Sequence, residues 1–440
     1  MTFSFLRTLA LLLSVTSALT ARAAASQSPP TAAESPRTQP LPLDLAAALQ
    51  LARRSGPGAR VVEARRDAAV GRARESTQYP NPTLEWRREN LGSALDPDIF
   101  ATAYIPLDLT GRRLALRRAG QAGRTRAGAD ALAQQRDAEL LVARAWLRAA
   151  LTEGSVQIAR QQRDAMQEIA RVDAARLQEG VIADAVALRT GLEADRARVA
   201  VATAAGEAAR ARAELARILG VPDDQLPLLA PLAAPALPEG PDSSRVRELV
   251  RTTRPELAAR EAALEEARAK ARAEQRGMLG DVQLQGGSKE TGGFLTGQIG
   301  VALPLPLFNR NEGARQRSRG ELAEALALRD DALLAVRGDV VAAWSAYAEI
   351  RRTVTQAGSF STRGREVATI ARVAYGEGQA SLVELLDAER AAAESMTMHL
   401  RWAAEAWLAR LEFERALGAR LDADGPLDLP LLASLLTSGS

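Results

Sequence analysis

The chain has 440 residues, 47% hydrophobic and 25% charged, enough for two or three ordinary domains. Its net charge is only +3, and its 57 basic residues, all arginine except Lys270 and Lys289, are mixed with acids at helical spacing as on solvated helix faces, without the basic, aromatic-studded clusters of a nucleic-acid surface. The absence of cysteine excludes disulfides, thiol catalysis, cysteine zinc sites and lipidation of an N-terminal cysteine, and the single histidine, His399 between Met398 and Leu400, reads as a packing or solvent-facing residue of a helix.

The opening MTFSFLRTLALLLSVTSALTARAAAS has a basic residue, a short apolar run and a small-residue cleavage site, which predicts a secretory signal peptide over 1–25. No segment is apolar for the 18 or more residues that a membrane-spanning helix needs. A Pro/Ser/Thr/Gln-rich stretch, 26–42, is expected to be a disordered arm. Residues 43–78 carry Leu45, Leu49, Ala52, Val61, Val62 and Val70 at helical spacing, broken at Gly56-Pro57 and stopped by Tyr79-Pro80-Asn81-Pro82. Two strands are expected at 83–91 and 99–107, around a turn at Asp96-Pro97; the first alternates poorly after Trp86.

From Leu107 to Val221 there is no proline, and Ala, Arg, Glu, Leu and Gln dominate. Such a run accommodates a helix of roughly 70 residues, about 105 Å long, with a break near Glu179-Gly180 that turns it into a hairpin. Residues 221–241, VPDDQLPLLAPLAAPALPEGP, are too rich in proline for a helix and read as a linker that packs across something. The plan then restarts: a helix at 245–276, strands at 281–289 and 294–303, and a second long helical run broken at Glu377-Gly378, followed by a tail at 419–440.

The restart is a duplication. Pro57 and Pro255, Glu63 and Glu261, Pro106 and Pro304, Trp146 and Trp344, Glu179-Gly180 and Glu377-Gly378, and Leu219-Gly220 and Leu417-Gly418 are all 198 residues apart. The repeats are read as 43–220 and 242–418, each with helix, two strands, a long helix, a glycine break and a return helix. The strands have the length and alternation of tilted transmembrane strands. Four cannot close a barrel, the smallest of which have eight, and lipid does not tolerate an open edge. In a membrane, therefore, the chain must oligomerise.

Four stretches, LDLAAALQLARRSGPGARVVEARRDAAVGRARESTQYPNPTL, YIPLDLTGRRLALRRAG, ALPLPLFNRNEGARQRSRG and AYGEGQASLVELLDAER, resemble the TolC-type outer-membrane efflux factors in the same order. The run from Pro306 to Gly313 is similar to the CzcC-like branch, which serves heavy-metal efflux. The resemblance implies a mainly α fold with a small β part, in which helical hairpins form a trimeric α-barrel and four strands per subunit form a twelve-stranded transmembrane β-barrel. It implies a homotrimer in the outer membrane of a Gram-negative bacterium, in contact with its lipid. This passive duct would dock on a periplasmic adaptor and an inner-membrane resistance–nodulation–division pump, with no enzyme activity, cofactor or nucleic acid.

The resemblance also assigns sites. Glu179, Gly180, Tyr375, Glu377 and Gly378 fall at the periplasmic tips that meet the adaptor, and Glu384 and Asp387 on the acidic positions that narrow the entrance. Rings of carboxylates in a narrow pore favour cations. The plain alternative is that Glu384 and Asp387 are surface charges on one helix face, paired with Arg390. Where the best-known members carry a basic residue in the tip lock, this chain has Ala380. Rival functions are a multidrug or type I secretion duct, a periplasmic adaptor or coiled-coil scaffold, and, least, a glycosidase with paired carboxylates; no acid pair here sits on a loop beside aromatics.

Overall fold

Two short helices open the described chain. α1 (Leu45–Ser55) is capped by Asp44, whose side chain accepts from the Ala47 amide at 2.7 Å, and it stops at Gly56. α2 (Pro57–Glu75) begins with proline at its first position, where the missing N–H costs nothing. The computed structural model describes residues 42–91, 97–240, 243–277, 280–357 and 359–421. The expected signal peptide, the arm up to residue 41, the turn at Asp96 and the tail from 422 lie outside the described residues.

β1 (Thr83–Arg88) and β2 (Ile99–Leu107) lead into α3 (Arg112–Gln178), a single helix of 67 residues, and α4 (Asp184–Leu219) returns antiparallel to it. The second half runs α5 (Ser243–Thr253), α6 (Pro255–Arg276), β3 (Val282–Thr291), β4 (Phe294–Ala302), α7 (Glu312–Ala357), α8 (Phe360–Gly376) and α9 (Leu382–Leu417). Three expectations are corrected. β1 is shorter than 83–91, since the RREN sequence ends its alternation, although the Glu89 amide still donates to the Asp98 carbonyl. The helix expected at 245–276 is broken before Pro255, as its counterpart is before Pro57, because proline lacks the N–H and crowds the preceding turn. The second long helical run is divided into α7 and α8, so only the first repeat holds an uninterrupted helix of the expected length.

α4 and α9 obey the 198-residue offset at both ends. At the strand-to-helix junctions the offset is instead 200: Gly111 precedes α3 with φ +71° and Asn311 precedes α7 with φ +60°. The pairing of Pro106 with Pro304 is therefore one of sequence only. The two repeats keep their hairpins in step and differ by two residues where the long helix begins.

The linker is held by side chains that reach its carbonyls. Trp407 Nε1 donates to Ala233, Arg410 to Ala236 and the Tyr347 hydroxyl to Pro238, at 2.8, 2.8 and 2.6 Å. At its start, the Leu43 amide donates to Leu228 and the Ala230 amide to Leu43. A proline-rich strand offers few N–H groups, so its carbonyls need donors from elsewhere. Leu226 and Leu229 join Leu43, Trp146, Leu215 and Leu219 in the core between α1, α3 and α4. The linker crosses from this core to a second one, built on Tyr347, Phe413 and Leu417.

The sheet has the order β1-β2-β3-β4, antiparallel throughout, and the β2–β3 pairing joins the two repeats. Its register separates two faces. Leu84 lies opposite Ala103, Gly286 and Ile299 in successive strands, and Val301 lies opposite Leu284 and Ile105. The other face carries Glu85, Thr102, Tyr104, Gln285, Gln298 and Lys289, joined by Tyr104–Glu85 and Gln298–Thr102 hydrogen bonds of 2.8 Å each. The apolar face is bare: Leu84 is 76% exposed, Trp86 66% and Ile299 85%. Among the described residues the apolar face is uncovered and β1 and β4 are unpaired edges, features that call for a partner surface.

Candidate functional site

At the far ends of the hairpins, two turns are built on one backbone scheme. Past α3, the Gly180 amide donates to the Leu177 carbonyl (3.0 Å) and the Val181 amide to Arg176 (2.9 Å). Past α8, the Gly378 amide donates to Tyr375 (3.1 Å) and the Gln379 amide to Ala374 (2.8 Å), the same bonds 198 residues later. Gly180 and Gly378 have φ +73° and +74°, the left-handed conformation that ends a helix and that only glycine adopts freely. Glu179 and Glu377 cap the preceding helices, and both are exposed with the two glycines. The expected tip residues thus occupy equivalent places on two tips.

Side chains join the tips to each other. The Tyr375 hydroxyl donates to Asp173, 2.9 Å from each carboxylate oxygen, and the Asp173 side chain is fully buried. Burial and this hydrogen bond to a carboxylate push the tyrosine up to about 12, from an ordinary 10.0. Arg176 donates to the Gly376 carbonyl at 2.7 Å, and its guanidinium lies 5.4 Å from the centre of the Tyr375 ring and 3.9 Å from Asp173. Beneath this clasp, Met166 and Ile169 of α3, Ala194 and Ala197 of α4 and Leu385 and Leu386 of α9 form one apolar cluster. Asp173 and Arg176 escaped sequence reasoning. Their counterparts 198 residues later are Ala371 and Ala374, so the repeat carries no trace of them.

Glu384 and Asp387 are both exposed on the face of α9 opposite the buried Leu385 and Leu386. Glu384 also has a local structural role. Its carboxylate accepts from the Ser381 amide at 2.7 Å, and its own amide donates to the Ser381 hydroxyl at 3.3 Å, a capping box that starts α9. The hydrogen bond from the Ser381 amide, helped by the hydroxyl, holds the Glu384 carboxyl below its ordinary range. The pairing of these acids with Arg390 is not seen: Arg390 reaches across to Glu193 of α4 at 3.3 Å. Ala380 is half-buried, and Arg176 of the first hairpin is the cation beside Tyr375. Among the described residues, no group of three or more His, Asp or Glu side chains is arranged to hold a metal ion.

No protein-family profile matches the chain, and no curated protein matches it in sequence. Solved structures do. The outer-membrane protein VceC of Vibrio cholerae superimposes with a TM-score of 0.72 at 17% identity, over 86% of this chain and 96% of VceC. A membrane protein from Pseudomonas aeruginosa gives 0.74 at 19% identity, over 86% and 90% of the two chains. The MtrE outer-membrane channel of Neisseria gonorrhoeae, in its open state, gives 0.70 at 19% identity, over 85% and 88%. The fold is that of outer-membrane channels. It unites long helical hairpins with a small four-stranded sheet.

Proposed function

We propose that three copies of this chain form a passive exit duct of an efflux system in the outer membrane of a Gram-negative bacterium. The observation that carries the reading is the sheet: its bare apolar face suits lipid, its polar face suits a water-filled lumen, and its free β1 and β4 edges need partners. Three copies supply twelve strands, enough to close a barrel. The hairpins then form a helical barrel that reaches into the periplasm. Its tips, with Glu179, Gly180, Tyr375, Glu377 and Gly378, meet a periplasmic adaptor, and an inner-membrane resistance–nodulation–division pump supplies the energy.

In this reading Glu384 and Asp387 repeat three times around the entrance, where carboxylate rings admit cations in preference to anions. Their exposure on one face of α9 supports the assignment. Heavy-metal cations are the proposed cargo, on the resemblance of Pro306 to Gly313 and on the acidic entrance. Metal then passes as cargo rather than as a resident ion.

Purified chain, fused into planar bilayers, is expected to give cation-selective channels, and chemical cross-linking a three-rung ladder. A monomer recovered wholly in the soluble periplasm, without conductance, would overturn the duct. Replacing both acids, Glu384→Gln with Asp387→Asn, should lower cation selectivity and relieve block by multivalent cations; unchanged selectivity and block refute the entrance role. Metal and drug susceptibility of a deletion strain then decides between metal cations and organic cargo.

A further inference from the structure

The first eighteen residues of α3, 112–129, contain six arginines and no acid, whereas 312–329 of α7 mix four arginines with three glutamates. Three of the six are spoken for: Arg112 pairs with Glu274, Arg113 with Asp281 and Arg126 with Glu266 and Asp130. Arg117, Arg118 and Arg124 are exposed and, among the described residues, have no carboxylate partner. Together with Thr77, Leu114 and Gln121 they line one cavity of about 460 Å³ beside the end of α2. These three guanidinium groups surround one hollow whose lining holds no acid, a setting that suits an anion.

The direction of this hollow follows from the packing of α3. A Cβ on Gly123 would lie 3.4 Å from Ala73 of α2 and 3.5 Å from Glu266 of α6, so both neighbours sit on that side of the helix. Leu114, Arg118 and Gln121 project from the opposite side, about half a turn away. In a closed ring of helices each helix has its two neighbours displaced toward the axis, so the side away from both faces outward. The level also follows. Arg117 and Arg118 lie about 8–9 Å into the helix that leaves β2, and side chains of a helix lean toward its N-terminus, here toward the sheet. Leu109 and Leu114, both exposed, come before them, and Arg113 and Arg117 stack on Tyr79 at 4.7 and 5.4 Å. Exposed leucines, a tyrosine and arginines thus share one level, the mixture found at a bilayer surface, whose headgroup zone is about 5–8 Å deep on each side.

We infer that this hollow binds the phosphate of an anionic phospholipid headgroup in the periplasmic leaflet, once in each copy of the chain. The inference rests on the membrane reading of the sheet and adds a ligand site that anchors the duct at a set depth. It is tested by reconstituting the full chain into nanodiscs of phosphatidylglycerol and phosphatidylcholine, then measuring by mass spectrometry the lipid retained on extraction. Wild type should retain phosphatidylglycerol well above its bulk share, and affinity should fall roughly five-fold for each arginine removed. Arg117→Gln/Arg118→Gln/Arg124→Gln should retain the bulk composition, while the triple lysine variant and Arg317→Gln behave as wild type. Circular dichroism and conductance establish that each variant is folded and assembled.

Equal enrichment in wild type and the triple glutamine variant overturns the site, as does displacement of the lipid by inorganic phosphate at equal concentration, which would mark a free-phosphate pocket. Normal conductance without lipid enrichment sinks this inference alone. Absence from membranes and of conductance sinks the duct reading with it.

Discussion

The two hairpin tips share a backbone and divide the chemistry. Both place glycine at φ near +73° and make the same pair of amide–carbonyl bonds, 198 residues apart. Yet the first tip starts its return helix at Ala183 with no side-chain cap, while the second starts at Ser381 with a reciprocal box to Glu384. The first contributes a buried acid and a cation, Asp173 and Arg176, and the second a tyrosine and a carbonyl to receive them. Turn geometry follows from glycine and backbone bonding alone, so duplication preserves it. Side chains beyond the turn are free to diverge, and a clasp between the tips requires that they do.

Breaking the clasp should have the largest effect. Tyr375→Phe leaves the buried Asp173 carboxylate without its hydroxyl donor, a loss of about 1–3 kcal/mol in local stability. Amide exchange should quicken at both tips, and channel openings should lengthen. Protection at the first tip that is unaffected by this change would show that the two tips are not coupled. The same contact predicts a pH dependence. Its tyrosine titrates near 12 in the folded protein against 10.0 ordinarily, so the stabilisation is fully present below about pH 10 and is lost only as pH rises through the folded value. Wild-type tip protection, corrected for intrinsic exchange, should therefore stay level from pH 6 to pH 9.

Next come the turns themselves. Gly180→Val and Gly378→Val each force a branched side chain into the left-handed region, at about 1–2 kcal/mol. The shared backbone predicts equal losses, read as matched shifts in thermal unfolding; a shift at one tip only would break the equivalence. The caps distinguish the tips in a smaller way. Ser381→Ala should cost about 1 kcal/mol, whereas the first tip has no cap to lose and Ala183→Ser should gain stability there. Smallest of all, Asp387→Asn should leave melting unchanged and act only on ion selectivity in bilayers.

Much of this architecture was legible in the chain. The αL glycines, the proline at 57 and the alternation of β2 and β4 mark boundaries through local chemistry, so hairpins, strands and the duplication could be read directly, whereas the break before Pro255 was not. β1 was overextended although Arg87, Arg88, Glu89 and Asn90 break its alternation, and the division of α7 from α8 has no helix-breaking proline to announce it. At the site, glycine and glutamate positions were readable from the repeat. Asp173 and Arg176 were not: an aspartate or an arginine among dozens on exposed helices acquires meaning only when another segment comes to rest on it.

The sequence by itself determined the hairpins, the strands and their twofold plan, because these depend on contacts between near neighbours along the chain. Only the tertiary structure decided three things: the 200-residue offset at the starts of the long helices, the clasp between unlike tips, and the side of α3 on which three arginines stand without acid partners. Each depends on which distant segments meet, and burial and pairing follow from that meeting rather than from residue type.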